Sequence, residues 1–273
     1  MAAKINRKNV LLDERVSEKA IKKSRKMKLP PLAKIHKWLA VLVFAQVFIW
    51  LGTGLFFNLM DHDKARGNQY RAKLLNKEID VSRLIEPKQV LTQLEQDTNK
   101  AVNSIRLIQR VDTPYYLVNH QQGLYKHFVN QYSLVNAYSG EVKLVDDKMA
   151  KRIAKQSYNG DGAISQVNRL NPPIDDFLKE QNPVWQVNFD DEVNTSVYIE
   201  VGSGRLVGHS NDDKRFVDFF FMLHFMDYGL FGNNRTGGFN HGQSVLFAFL
   251  MLLFSITGAV WTVRLWRKGR YKI

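Results

Sequence analysis

The sequence contains no cysteine. That excludes disulfides, thiol catalysis, Cys-ligated zinc, thiolate-bound iron–sulfur clusters and c-type haem attachment. It also lacks an HExxH helix, a Walker loop, a GxSxG elbow and a Gly-rich dinucleotide loop, so direct use of NAD(P)H is not expected. Acidic residues are scarce at both ends. Residues 1–37 hold twelve Lys/Arg against three Asp/Glu, and residues 264–273 hold five basic residues and no acidic one. Residues 61–244 hold 22 basic and 23 acidic residues, so the whole basic excess behind the formal charge of +13 lies in the two terminal segments. Aromatic residues do not interleave with those terminal charges, which argues against nucleic acid as the partner.

What is present beside each basic end is a long apolar run. Residues 38–60, WLAVLVFAQVFIWLGTGLFFNLM, carry no charge over 23 positions. As a helix they extend roughly 34 Å, against a hydrocarbon core of about 30 Å. Residues 245–263, VLFAFLMLLFSITGAVWTV, are 19 further uncharged positions, or about 28 Å as a helix. Both runs abut clustered Lys/Arg on one side only. The positive-inside rule then places both termini in the cytoplasm and residues 61–244 outside, in the periplasm of a Gram-negative cell. The first run is too long for a signal peptide and ends in bulky residues rather than a small-residue cleavage site, so it reads as an uncleaved anchor. Residues 14–28 read as a topology-fixing basic tail or as a helix on anionic headgroups, broken by Pro30-Pro31.

The outside segment reads as α+β. Pro87 suits a first helical turn, followed by Val90, Leu91 and Leu94 at helical spacing. Residues 104–110, 115–119, 124–128, 133–137 and 142–145 read as strands. Residues 148–157 form a second helix candidate, followed by strands over 164–170, 184–189, 195–201 and 206–208. Two hairpins align at an offset of 64 residues, SLVNAYSGEVKLV and VYIEVGSGRLVGH, with Gly140 and Gly204 in register. Each glycine supplies a positive φ for its turn. Two copies of a small helix-plus-sheet unit are the simplest account. The expected organisation is a basic segment 1–37, a membrane helix 38–60, an α+β domain 61–215 with units at about 82–147 and 148–212, an interfacial apolar helix 216–232, a second membrane helix 245–263 and a basic tail 264–273.

An ordered set of short motifs resembles the PepSY-associated transmembrane family of bacteria. His36-Lys37-Trp38-Leu39 and Thr53-Gly54 match the opening and close of its first helix. Asn136 to Glu141 and Glu200 to Arg205 resemble the turn of its PepSY units. Leu223-His224, Ser255-Ile256-Thr257-Gly258, Trp261 and Trp266-Arg267-Lys268 follow in family order. The resemblance covers about residues 32–270. It implies a membrane protein in which two transmembrane α-helices flank a periplasmic α+β domain of tandem PepSY-like units, in the bacterial inner membrane. It further implies a component of transmembrane electron transfer or ferric-siderophore reduction with haem b as cofactor. The partners implied are the lipid bilayer and a membrane or periplasmic protein, or a second copy of the chain.

Haem b takes axial histidines. The candidates for cofactor binding are the four histidines near the span boundaries: His36, His62, His224 and His241. His36 and His62 are about 39 Å apart along a helix, which forbids one shared haem. His224 is instead expected to face His241 or His62, leaving His36 to a partner or a second copy. His120, His127 and His209 read as ordinary sheet or loop residues. Asp146-Asp147 and Asp190-Asp191-Glu192 read as solvated turns. Gln46 reads as a helix-packing group directed at Ser255 or Thr257. The competing function, of a different class, is a non-enzymatic periplasmic binding or regulatory module held by two anchors, or an accessory subunit of a membrane complex.

Overall fold

The computed structural model describes residues 31–73, 77–98, 100–228 and 238–270. The helix expected over 14–28 lies outside the described residues, as do positions 229–232 of the expected interfacial helix.

Among the described residues, two helices are long and apolar enough to cross a membrane. The first, α1 (Leu32–Leu59), begins at Pro31, whose carbonyl accepts from the amides of Lys34 and Ile35. It closes before Asp61, which caps the short helix α2 (His62–Ala65) by accepting from the amides of Asp63 and Lys64. The last helix, α6 (Gly238–Arg267), carries Arg264 and Arg267 in its final turn, a charge placement favourable to a helix C-terminus. Both helices exceed the uncharged runs and take in the flanking polar residues. Only 17% of the α1 window and 6% of the α6 window is buried by protein. Leu42, Phe44, Phe48 and Leu51 of α1 and Leu246, Phe249 and Leu252 of α6 are all exposed. Helices apolar on every side and uncovered by protein are not core helices of a soluble domain.

The described chain divides into two compact bodies, one formed by the chain up to Gln46 and from Phe247 on, the other by Val47–Leu246. In the first, α1 and α6 pack together. His36 of α1 stacks on Phe254 of α6 and meets Trp261 edge-on.

The second body contains two four-stranded antiparallel sheets, each in the order of the chain. A helix precedes each. Helix α3 (Pro87–Thr98) leads to β1 (Ser104–Arg110), β2 (Thr113–Gln121), β3 (Gln131–Asn136) and β4 (Val142–Lys143). Helix α4 (Asp147–Ser157), capped by Asp146, leads to β5 (Ala163–Leu170), β6 (Val184–Asp190), β7 (Ser196–Glu200) and β8 (Leu206–Ser210). Helix α5 (Asp212–His224) follows.

The alternation of the strands assigns their faces. Tyr116, Val118 and Val135 of the first sheet pack with Val90 and Leu94 of α3. Tyr115, Leu117 and Leu134 point the other way into a core shared with Ile153 and Ala154 of α4 and with Val187, Phe189, Val197 and Ile199 of the second sheet. The remaining face of the second sheet presents Val184 and Tyr198 to Ile174 and Phe177.

The two aligned hairpins share their hydrogen bonds. Gly140 N donates to Asn136 O, and Gly204 N donates to Glu200 O, each over 2.9 Å. Asn136 N reaches Glu141 O at 2.9 Å, and Glu200 N reaches Arg205 O at 2.8 Å. Both glycines have positive φ, +77° and +62°. The 64-residue offset read from sequence is thus an offset between equivalent turns.

One expected strand is absent, and one expected helix has different bounds. Residues 124–128 form no strand. Leu124 and Tyr125 are exposed, and side-chain amides hold the surrounding backbone: Asn182 Nδ2 donates to Phe128 O, and Asn130 N donates to Asn182 Oδ1. The apolar helix expected over 216–232 begins at Asp212, because Asn211 Oδ1 caps it by accepting from Lys214 N. It ends at His224, two residues before Met226 turns to φ +57°.

Candidate functional site

Two of the four candidate histidines occupy matching chemical seats. In the central body, His224 closes α5 beside the last turns of α1. Its Nδ1 lies 2.8 Å from Thr53 Oγ1. Thr53 Oγ1 in turn donates to Ile49 O at 2.7 Å, within its own helix. A hydroxyl has one proton, and the helix carbonyl takes it, so the oxygen accepts from His224 Nδ1–H. The free lone pair of the imidazole therefore sits on Nε2, which has no hydrogen-bond partner among the described residues. Trp50 Nε1 donates to His224 O at 2.6 Å, satisfying a carbonyl that the helix end leaves open. Phe57 meets the imidazole edge-on at 5.4 Å.

In the helical body, His36 repeats the arrangement. Its Nδ1 lies 3.0 Å from Thr257 Oγ1, and Thr257 Oγ1 donates to Phe254 O at 2.9 Å. The same proton count leaves the lone pair on Nε2. The ring lies parallel to Phe254 at 4.6 Å. Gly258 makes this possible, since a Cβ there would stand 3.0 Å from His36 Cε1. A Thr-Gly step is thus a histidine seat, in which the threonine fixes the tautomer and the glycine admits the ring. The Thr53-Gly54 seat uses only the threonine, because a Cβ on Gly54 would meet nothing within 4 Å.

Of the other two candidates, only His62 has a described side chain. His62 is the exposed first residue of α2. His241 lies in α6, and its side chain is outside the described residues. His120 is fully engaged by Ala101 O and Ser133 Oγ. His209 is buried against Ser157, and burial pushes its pKa down to about 4, with Arg71 adding to the effect. Among the described residues, no three His, Cys, Asp or Glu groups assemble into a metal cluster.

Motif reading missed a cavity of about 440 Å³ between the second sheet and α5. Beside it stands a buried ion network. Arg205 Nη2 reaches Glu180 Oε2 at 2.6 Å and its Nε reaches Glu200 Oε2 at 3.1 Å. Burial pushes the Glu200 carboxyl up despite Ser203 and Arg205. Glu180 and Arg205 are far apart in sequence, and Glu200 had served only as part of a turn motif. The signal available was a carboxylate inside an apolar strand, YIEV, which requires a buried partner.

No family model matches the chain, and neither does a curated protein or a solved structure.

Proposed function

We propose that the chain is an inner-membrane component of transmembrane electron transfer, of the PepSY type, with its two-sheet domain in the periplasm and its basic ends in the cytoplasm. The observation that carries this reading is the pair of threonine-seated imidazoles. A metal-ligating histidine characteristically donates one ring N–H to a fixed acceptor and presents the other nitrogen. His36 and His224 are held in that tautomer, each against aromatic rings. The charge asymmetry and the protein-uncovered apolar faces of α1 and α6 support the membrane setting.

His36 and His224 would each offer one imidazole nitrogen to haem b, and the second ligand would come from a second copy or a partner subunit. When bound, haem would supply a one-electron couple. Thr53 and Thr257 hold the Nδ1 proton, and Phe254, Trp261 and Phe57 limit water around the rings. Reduced-minus-oxidised absorbance of the detergent-extracted protein tests the reading. A Soret band lost in His36→Ala or His224→Ala is the expected result. No band after haem supplementation overturns it.

The cavity and its charged border favour a second reading, a membrane-anchored periplasmic binding module. It predicts that His224→Ala leaves function intact while changes at the cavity wall abolish it.

A further inference from the structure

The second sheet carries a site that the redox reading does not use. Its outer face is roofed by α5 and by the segment 174–180, and the roof does not close. The cavity has an apolar wall of Phe177, Val207, Phe221, Met222 and Phe225. Its volume of about 440 Å³ lies within the range of small-molecule sites, roughly 300–1,000 Å³.

The charges around it divide into spent and unspent. Arg205 is held by Glu180 and Glu200. Lys214 Nζ donates to Asp218 Oδ2 at 2.6 Å and to Asp176 O at 2.8 Å, and it stands 4.9 Å over the Phe177 ring. Asp176 is taken by Arg215 and by the Tyr198 hydroxyl. Two exposed lining groups, Asp175 and Lys179, have no partner among the described residues. They carry opposite charges at the edge of an apolar cavity.

The roof is also fixed to the end of an apolar helix. Phe220 stacks on Phe56 at 4.2 Å, Phe221 stacks on Phe57 at 4.5 Å, and His224 bonds Thr53. Phe216 and Phe219 of α5, and Phe225 just after it, remain exposed. If α1 spans the bilayer, as the reading above has it, the α5 roof of the cavity stands near the outer headgroup layer.

We propose that this cavity binds one zwitterionic phospholipid of the outer leaflet, an ethanolamine-type headgroup pairing with Asp175 and Lys179 and one acyl chain lying on the Phe177–Met222 wall. The ammonium meets the free carboxylate and the phosphate meets the free lysine. An anionic lipid would satisfy Lys179 but leave Asp175 facing like charge. An uncharged one would leave both unpaired.

The test is native mass spectrometry of the full chain released from detergent with added phosphatidylethanolamine or phosphatidylglycerol. The expected result is one retained ethanolamine lipid, at least ten-fold favoured over the glycerol lipid. Val207→Trp and, as a second cavity-filling variant, Met222→Trp lose it while their circular dichroism is unchanged. Asp175→Lys reverses the preference. Equal retention of both lipids, or undiminished retention in two folded cavity-filling variants, means annular lipid only and overturns the proposal. Dihexanoyl phosphatidylethanolamine below its micellar concentration tests the cavity whether or not the helices span a membrane, so failure of the membrane reading is seen separately. Glycerophosphoethanolamine, the head without chains, is expected not to compete, and competition by it also overturns the proposal.

Discussion

The two helix-plus-sheet repeats share their turns and differ in what covers them. The first sheet is closed on both faces, by α3 on one side and by the shared core on the other. The second is closed by that core on one face only, and its other face meets a short segment, α5 and a cavity. The same register positions carry different chemistry as a result. Asn136 in the first hairpin corresponds to Glu200 in the second, Glu141 to Arg205, and Val145 to His209. In the first hairpin the turn is held by a neutral amide, with Asn136 Oδ1 accepting from Tyr138 N and Ser139 N. Its one ion pair, Lys143 with Glu141, is exposed. In the second, buried charge holds the equivalent turn. A duplicated unit can therefore keep its backbone while one copy gains ionisable groups that need partners, and such groups gather where the layers do not close.

The largest expected effect breaks that comparison directly. Glu200→Ala strips Arg205 and the Ser203 hydroxyl of a partner inside the protein, and removing one member of a buried pair costs about 3–5 kcal/mol. Asn136→Ala at the matching position removes two turn hydrogen bonds near the surface and costs about 1 kcal/mol. Denaturant unfolding of the two variants measures the difference. Equal losses would mean that the buried network contributes no more than an ordinary turn.

The second effect sharpens the comparison through pH. His209 has a pKa of about 4 in the folded chain against an ordinary value of 6.5, because burial and Arg71 disfavour the imidazolium. The unfolded chain binds the proton first. Stability is therefore fully present above pH 6.5 and falls as pH drops from 6.5 towards 4, by up to about 3 kcal/mol. His209→Val, which installs the residue of the first repeat, is expected to flatten the unfolding midpoint over that window. A slope unchanged by the substitution would assign the proton to another group.

The fold was largely legible because its signals are local. Alternation located all eight strands to within two residues at either end, and β4 (Val142–Lys143) begins where expected and stops two residues short. Uncharged length marked α1 and α6. Residues 124–128 misled because Leu124, Tyr125 and Phe128 look like strand residues, whereas Asn130 and Asn182, the latter distant in sequence, supply the hydrogen bonds that a partner strand would have given. Asn211 moved the start of α5 by a capping bond that an apolar count does not register. Of the site, the residue types were legible and their partners were not. His36 and His224 stood out beside the spans, and the two Thr-Gly steps were visible as motifs. Nothing in the sequence joined Thr257 to His36 or Thr53 to His224, because those pairs meet only when helices pack. Gln46 was expected to bond Ser255 or Thr257, yet Thr257 is engaged by His36 and by its own helix, and Ser255 donates to Met251 O.

The smallest effect asks whether the two turns are equivalent in energy as well as in shape. Gly140 and Gly204 both have positive φ, so a side chain at either incurs the left-handed penalty of about 1–2 kcal/mol. Their surroundings differ slightly. A Cβ at position 140 would stand 3.2 Å from Ile85 Cδ1, and one at position 204 would stand 3.3 Å from Ile153 Cδ1 and 3.4 Å from Arg110 Nε. Isoleucine methyls at the ends of flexible side chains can yield. Arg110 yields less readily, because its Nε donates to Ser203 O within the same turn. Gly204→Ala should therefore lose slightly more than Gly140→Ala, by a few tenths of a kcal/mol, in chemical denaturation. A larger loss at position 140 would show that the first repeat, for all its neutral chemistry, holds its turn more tightly than the charged copy does.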